Sequence, residues 1–159
     1  MKTLSSSLED YLETIYEIAE SKGAARPKDI ADHLQVKPAS VTGALKHLAE
    51  KELINYAPYD VVTLTAAGKK IAREIQRKHK ALFGFFTNVL DIDTQEAEDF
   101  ACKMEHNIPD HVLERFIGFS EFVQRCPNSG AVWREGAHGY FCKTRGVDPQ
   151  CKKCQLAAT

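Results

Sequence analysis

Apolar positions recur along most of this chain at intervals of three and four residues, which predicts a mainly helical protein. Ser5, Ser6 and Ser7 offer a cap. Leu8, Leu12, Ile15 and Ile18 follow on one helical face, with Tyr11 and Tyr16 beside them, until Gly23 ends the run. Pro27 suits a first helical turn and opens a second helix carrying Ile30, Ala31 and Leu34. After a short turn at Val36–Pro38, a third helix runs from Pro38 to Lys51, with Val41, Ala44, Leu45 and Leu48 along one face. Two short helices joined by a tight turn form the helix-turn-helix pattern.

The period then changes. Leu53–Tyr56 and the β-branched run Val61–Thr65 read as two strands around a turn at Ala57–Asp60, a wing directly after the helix pair. Thr65 caps a long helix from Ala66 to Leu90. Asp93 or Thr94 starts the next, covering Glu96 to Ile108. Pro109 opens a last one through Val112, Leu113, Phe116, Phe119 and Val123. From Cys126 onward the periodicity is lost. The expected organisation is a winged helix over residues 1–70, an all-helical part over 71–125 and a cysteine-containing tail over 126–159.

Composition changes this picture little: 43% hydrophobic and 27% charged residues are ordinary for a globular chain. No apolar run approaches the ~20 residues of a membrane span, and the first residues lack the apolar block of a signal peptide. A cytoplasmic protein with no membrane partner is expected. Charge distribution says more than the net value of −1. Residues 1–80 hold 13 Lys/Arg against 11 Asp/Glu, residues 81–125 hold 3 against 9, and residues 126–159 hold 5 against 2. A mildly basic start beside an acidic middle fits DNA contact at one end and cation binding further on, although solvated faces alone give similar unevenness.

The third helix begins Lys37-Pro38-Ala39-Ser40-Val41-Thr42-Gly43, the small and polar surface that a recognition helix needs where it meets base edges. Ser40 and Thr42 can hydrogen-bond bases or phosphates, and Ala39 can touch a thymine methyl. Arg26, Lys37 and Lys46 are candidate phosphate contacts, which set register without reading sequence. A helix pair of this kind also occurs as ordinary packing; the wing after it turns the reading towards DNA.

Further on, Cys102, Glu105 and His106 share one helical face and offer a thiolate, a carboxylate and an imidazole. His79 lies on the preceding helix, and Asp10 and Glu13 share a face of the first. Each also has an inert reading: an exposed carboxylate is usually just solvated, and a lone cysteine usually packs as a small hydrophobe. His33, His47 and His111 are assigned to surface or packing.

The segments LEDYLETIYEI and ARPKDIADHLQVKPASVTGALKHLAEKELINYAPYDVVTLTAAGKKIA resemble the diphtheria-toxin-repressor family of iron- and manganese-dependent repressors, the likeness running from Leu8 to Phe122. The resemblance implies a homodimer that binds palindromic operator DNA when loaded with Fe²⁺ or Mn²⁺ and represses metal-uptake genes. It also implies the compact class, without an SH3-like domain. It places Asp10, Cys102, Glu105 and His106, with Glu13 of the manganese type, at the regulatory site, and His79 at a second site. Two positions depart from the pattern. Phe83 stands where a glutamate is frequent, and Glu98 where iron-type members have a histidine. The second site is then weakened, or rebuilt from His79, Glu98 and Glu105. The thiolate at Cys102 favours Fe²⁺ over Mn²⁺, while Asp10 is the manganese-type choice.

The tail carries Cys126, Cys142, Cys151 and Cys154, four of the five cysteines. Cys151-x-x-Cys154 can chelate one ion, and four thiolates suit Zn²⁺ or an iron–sulfur cluster; reactive thiols or no role are the other readings. An enzyme built on a carboxylate–histidine–thiolate site could activate water, but no phosphate loop, HExxH or nucleophile elbow accompanies it. A metal-independent DNA-binding protein is the remaining alternative.

Overall fold

The computed structural model describes residues 4–57 and 60–125, apart from the side chains of two residues near the end of the last helix, and the backbone of two four-residue strands beyond. The chain forms two compact units, Met1–Arg77 and Lys78–Thr159.

The first unit opens with α1 (Ser6–Lys22). Ser5 caps it: the Leu8 amide donates to the Ser5 hydroxyl at 3.4 Å. Gly23 closes it at φ 84°, a left-handed position suited to glycine, and donates its N–H to the Ala19 carbonyl. Pro27 begins α2 (Pro27–Leu34), whose missing N–H costs nothing in a first turn. Pro38 does the same for α3 (Pro38–Glu50). Leu12, Ile15, Ile30, Val41, Leu45 and Leu48 are withdrawn from solvent altogether and form the core of this unit.

Two antiparallel strands follow, β1 (Ile54–Asn55) and β2 (Thr63–Leu64), pairing Ile54 with Leu64 and Asn55 with Thr63. They are shorter than the sequence pattern predicts. The backbone of Val62 turns instead to Ala25, exchanging two hydrogen bonds of 2.7 and 3.2 Å, and the Val61 amide is taken by the Asp60 carboxylate. The wing is therefore stitched to the loop between α1 and α2 as well as to itself.

Thr65 joins the wing to α4 (Ala66–Asn88). Its hydroxyl accepts from the Gly68 amide at 3.1 Å and donates towards the Glu52 carbonyl at 2.8 Å. Gly68 is required here: a Cβ at this position would stand 2.0 Å from the Leu53 carbonyl oxygen. Further along the helix, the Arg73 guanidinium donates to the Tyr16 hydroxyl.

The second unit takes the C-terminal part of α4 with α5 (Thr94–Glu105) and α6 (Asp110–Arg125). Asp93 caps α5 by accepting from the Gln95 amide at 2.8 Å. This helix stops three residues short of the expected Ile108, because the chain turns at His106–Asn107 to reach Pro109. Leu82, Phe86, Ala97, Ala101, Ile108 and Leu113 form the second core. The alanines lie four apart on α5, and their small size lets a bulky Leu82 and Phe86 pack into the same cluster. Phe85 and Phe116 meet edge to face at 4.5 Å.

Beyond α6, β3 (Ala131–Arg134) and β4 (Gly139–Cys142) form an antiparallel hairpin, with Ala131 opposite Cys142 and Arg134 opposite Gly139. The sequence pattern predicts no element here. Each strand is only four residues long, too short to show an alternation. No described helix is long and apolar enough to cross a membrane.

Candidate metal centre and nucleic-acid interface

α3 divides cleanly into two faces. Val41, Ala44, Leu45 and Leu48 are buried, whereas Pro38, Ala39, Ser40, Thr42 and Lys46 are exposed, as are Arg26 and Lys37 at the starts of α2 and α3. The apolar side anchors the helix, so its N-terminal polar side can be presented without rearrangement. Thr42 donates its hydroxyl proton to the Pro38 carbonyl at 3.1 Å, which leaves the oxygen to accept rather than donate. His33, His47 and His111 are exposed; the first two face Glu17 and Glu50.

In the second unit, α5 carries Glu98, Cys102 and Glu105 at intervals of four and three, one face of a helix, and His106 follows at its C-cap. His79 of α4 faces them. Its Nδ1 lies 2.7 Å from Glu105 Oε2 and 3.9 Å from Cys102 Sγ, and its Nε2 lies 3.3 Å from Glu98 Oε1. Glu105 uses its other oxygen, Oε1, 3.3 Å from His106 Nε2. One candidate ligand atom from each of His79, Glu98 and Cys102 falls within 4.8 Å of the others.

Glu105 is the unusual member of this set. It is 2% exposed, and a carboxylate so buried needs compensation. Two imidazoles supply it. The hydrogen bond that His79 donates to Glu105, together with the charges of Glu105 and Glu98, raises His79 to a pKa of about 9 against the opposing effect of burial. Near neutral pH, His79 therefore holds a proton where a cation could be held. Nitrogen, oxygen and sulfur donors gathered in a half-buried site fit a first-row divalent ion.

Phe83, four residues after His79, stacks on the imidazole with ring centroids 6.4 Å apart. The sequence offered no sign of Lys78, whose ammonium donates to the Ile108 carbonyl at 3.3 Å and pairs with Asp110 at 3.0 Å. It ties the turn after His106 to α4, and a partner 30 residues away leaves no local trace. Asp10 and Glu13 share a face of α1 in the other unit. Cys126, Cys151 and Cys154 lie outside the described residues, and Cys142 is the last residue of β4.

A winged helix followed by a helical unit with a mixed nitrogen–oxygen–sulfur donor set defines a class of metal-responsive DNA-binding proteins. Two family models match this chain in succession: the N-terminal DNA binding domain of iron dependent repressors over residues 3–62, and their metal binding and dimerisation domain over residues 65–134. The chain belongs to the iron dependent repressor family. It is 40% identical over 119 residues to an HTH-type transcriptional regulator of Methanocaldococcus jannaschii, covering 74% of this chain and 95% of that one. The transcriptional regulator MntR of Bacillus pumilus is 34% identical over 118 residues, 74% of this chain and 81% of the relative. Among solved structures, the manganese regulator SloR aligns with a TM-score of 0.65 at 30% identity over 76% of this chain. IdeR of T. acidophilum aligns with a TM-score of 0.65 at 27% identity over 80%. The chain spans 56% and 59% of the length of those two structures.

Proposed function

We propose that this chain is a cytoplasmic, non-enzymatic repressor that binds a palindromic operator as a homodimer when Fe²⁺, in preference to Mn²⁺, occupies the centre around Glu105. The observation that carries the reading is a buried carboxylate held between two imidazoles beside a thiol, in a chain that also carries a winged helix. Solved structures named as a manganese regulator and a manganese-dependent transcriptional repressor support metal dependence.

On this reading His79, Glu98, Cys102, Glu105 and His106 hold metal from the second unit, and Asp10 and Glu13 of α1 complete the ligand set. A divalent cation held by these residues would supply positive charge that neutralises their carboxylates. For His79 to hold the metal it would have to release the proton that it otherwise shares with Glu105. A ligand set drawn from both units restricts how α3 is presented, so that the recognition helices of two protomers match successive half-sites, about 34 Å apart or a multiple of that. Arg26, Lys37 and Lys46 neutralise phosphates, while Ala39, Ser40 and Thr42 meet base edges. Metal-uptake genes are the expected targets.

The coupling between sites is typically ~1–3 kcal/mol, or about 5–150-fold in affinity, and it is reciprocal. The test is operator binding by gel shift and fluorescence anisotropy under anaerobic conditions with Fe²⁺, Mn²⁺, Zn²⁺ or chelator. Metal should tighten operator binding, and operator should tighten metal binding by the same factor. Equal DNA affinity with metal and with chelator would refute the reading.

A further inference from the structure

Only four residues, 106–109, link α5 to α6, and the first of them is the imidazole-bearing His106. The start of this link is held locally: the Asn107 and Ile108 amides both donate to the Met104 carbonyl, at 3.0 and 2.9 Å. Its end is held by α6, where the Pro109 carbonyl accepts from the Val112 and Leu113 amides. Neither set of bonds reaches α4. Ile108 and Leu113 share an apolar cluster with Leu82, but apolar contact is not directional and does not fix how the link is turned. Lys78 of α4 does: its ammonium donates to the Ile108 carbonyl at 3.3 Å and pairs with Asp110 at 3.0 Å.

Lys78 also immediately precedes His79. Successive residues of an α-helix point about 100° apart, so one turn of α4 reaches two places. His79 reaches Glu105 at 2.7 Å, just before His106, and Lys78 reaches Ile108, two residues after it. The segment that carries His106 is thus gripped from the same turn of α4 on both sides. The geometry points to Lys78 as a positioning residue for the metal centre. It places His106 against Glu105, so that two imidazoles flank one carboxylate, and offers no atom to the ion itself. This inference rests on the reading that Glu105 and His106 hold metal.

Stability alone does not account for a lysine here. Its side chain is 21% exposed, whereas that of Asp110 is 74% exposed. Withdrawing an ammonium from water is costly, and a pair with a solvent-facing carboxylate returns little. An apolar side chain beside Ile108 would pack without that cost. It would not orient the Ile108 carbonyl, which is what the ammonium adds.

The test uses the full chain and Lys78→Met, which keeps the apolar stem and removes the charge. Isothermal titration with Mn²⁺ should show affinity per folded molecule weakened about tenfold, the low end for losing a group that orients a metal ligand. Lys78→Arg should recover most of it, because a guanidinium can donate to the same carbonyl and carboxylate. Lys78→Gln, polar but too short, should show the same loss as Lys78→Met, which separates the effect from a folding defect of one variant. The visible spectrum of the Co²⁺-loaded protein should change in Lys78→Met and return in Lys78→Arg. In the metal-free protein, the Asn107 and Ile108 amides should exchange with solvent about tenfold faster in Lys78→Met, with the amides of α3 unchanged. Wild-type Mn²⁺ affinity in Lys78→Met, or a loss that arginine does not recover, would overturn the assignment. Faster exchange with unchanged affinity would leave Lys78 a structural residue only and overturn it equally. Failure of the wild-type chain to bind Mn²⁺, Fe²⁺ or Co²⁺ would instead bring down the metal reading itself, and this inference with it.

Discussion

The two units solve the same packing problem with opposite materials. The core of the DNA-binding unit is almost wholly apolar: Leu12, Ile15, Ile30, Val41, Leu45 and Leu48 are removed from water, and the wing is fastened through backbone hydrogen bonds to Ala25. The second unit keeps an apolar cluster around Leu82 and Leu113 but buries Glu105 as well. A buried carboxylate costs more to desolvate than it contributes to stability unless it is paired, so its pairing with His79 and His106 points to use rather than to scaffolding. One unit is built to stay fixed so that it can present α3. The other carries a charge arrangement that gain or loss of a proton on His79 alters.

Leu45→Ala should expose this difference most strongly. Truncating a fully buried leucine leaves a cavity and costs roughly 2–5 kcal/mol. Denaturant melts of the metal-free protein should register that loss. Metal affinity per folded molecule should stay near wild type, because Leu45 supplies no ligand atom and folded molecules keep their donors. A large fall in metal affinity per folded molecule would overturn that expectation.

Glu105→Gln should do the reverse. Removing a charge that two imidazoles share should weaken metal binding by about 100-fold, equivalent to about 2.8 kcal/mol at 1.4 kcal/mol per tenfold change. Isothermal titration would measure it. Metal-stimulated operator binding should disappear, and any metal-independent background binding should remain. Retention of metal-stimulated binding would remove Glu105 from the centre.

The next effect depends on pH. His79 titrates at about 9 in the folded chain and near 6.5 when unfolded. The folded state therefore binds the extra proton between these values, and stability falls as pH rises through that window. The contribution is complete below pH ~6.5 and lost above about 9, amounting to ~3 kcal/mol at most. Urea melts of the metal-free protein at several pH values should show the decline, and His79→Gln should flatten it. Metal affinity should move the opposite way, rising towards pH 9 as the competing proton is lost. Parallel slopes would contradict a shared site for proton and cation.

How much of this was legible in the sequence follows from the range of each interaction. The six helices were, because a 3.6-residue apolar period and caps such as Ser5, Thr65 and Asp93 act locally. The wing was legible as a feature but not in its extent, since the partner of Val62 is Ala25, far away along the chain. The shared face of Cys102, Glu105 and His106 could be read from spacing, whereas Glu98 entered only through the family resemblance. That Glu105 divides its two oxygens between His79 and His106 could not, because it depends on how α4 meets α5. The strands Ala131–Arg134 and Gly139–Cys142 gave no periodic signal, yet Val132, Trp133, Tyr140 and Phe141 are strand-forming residue types. Length, rather than residue type, hid them.

The smallest expected effect bears on metal choice. Cys102 is the only sulfur donor in the centre's expected set, 3.9 Å from His79 Nδ1 on the exposed side of α5. Softer ions gain more from a thiolate than Mn²⁺ does. Cys102→Ser keeps nearly the same size and removes that softness, so Fe²⁺ affinity should fall by about tenfold, ~1.4 kcal/mol, with Mn²⁺ affinity changed far less. Thermal melts should match wild type, since the side chain is exposed and contributes little packing. The comparison is best made as the ratio of the metal concentrations that half-saturate operator binding, which cancels any shared change in DNA affinity. An unchanged ratio would mean that oxygen and nitrogen donors alone set the preference, and that Cys102 sits beside the ion without selecting it.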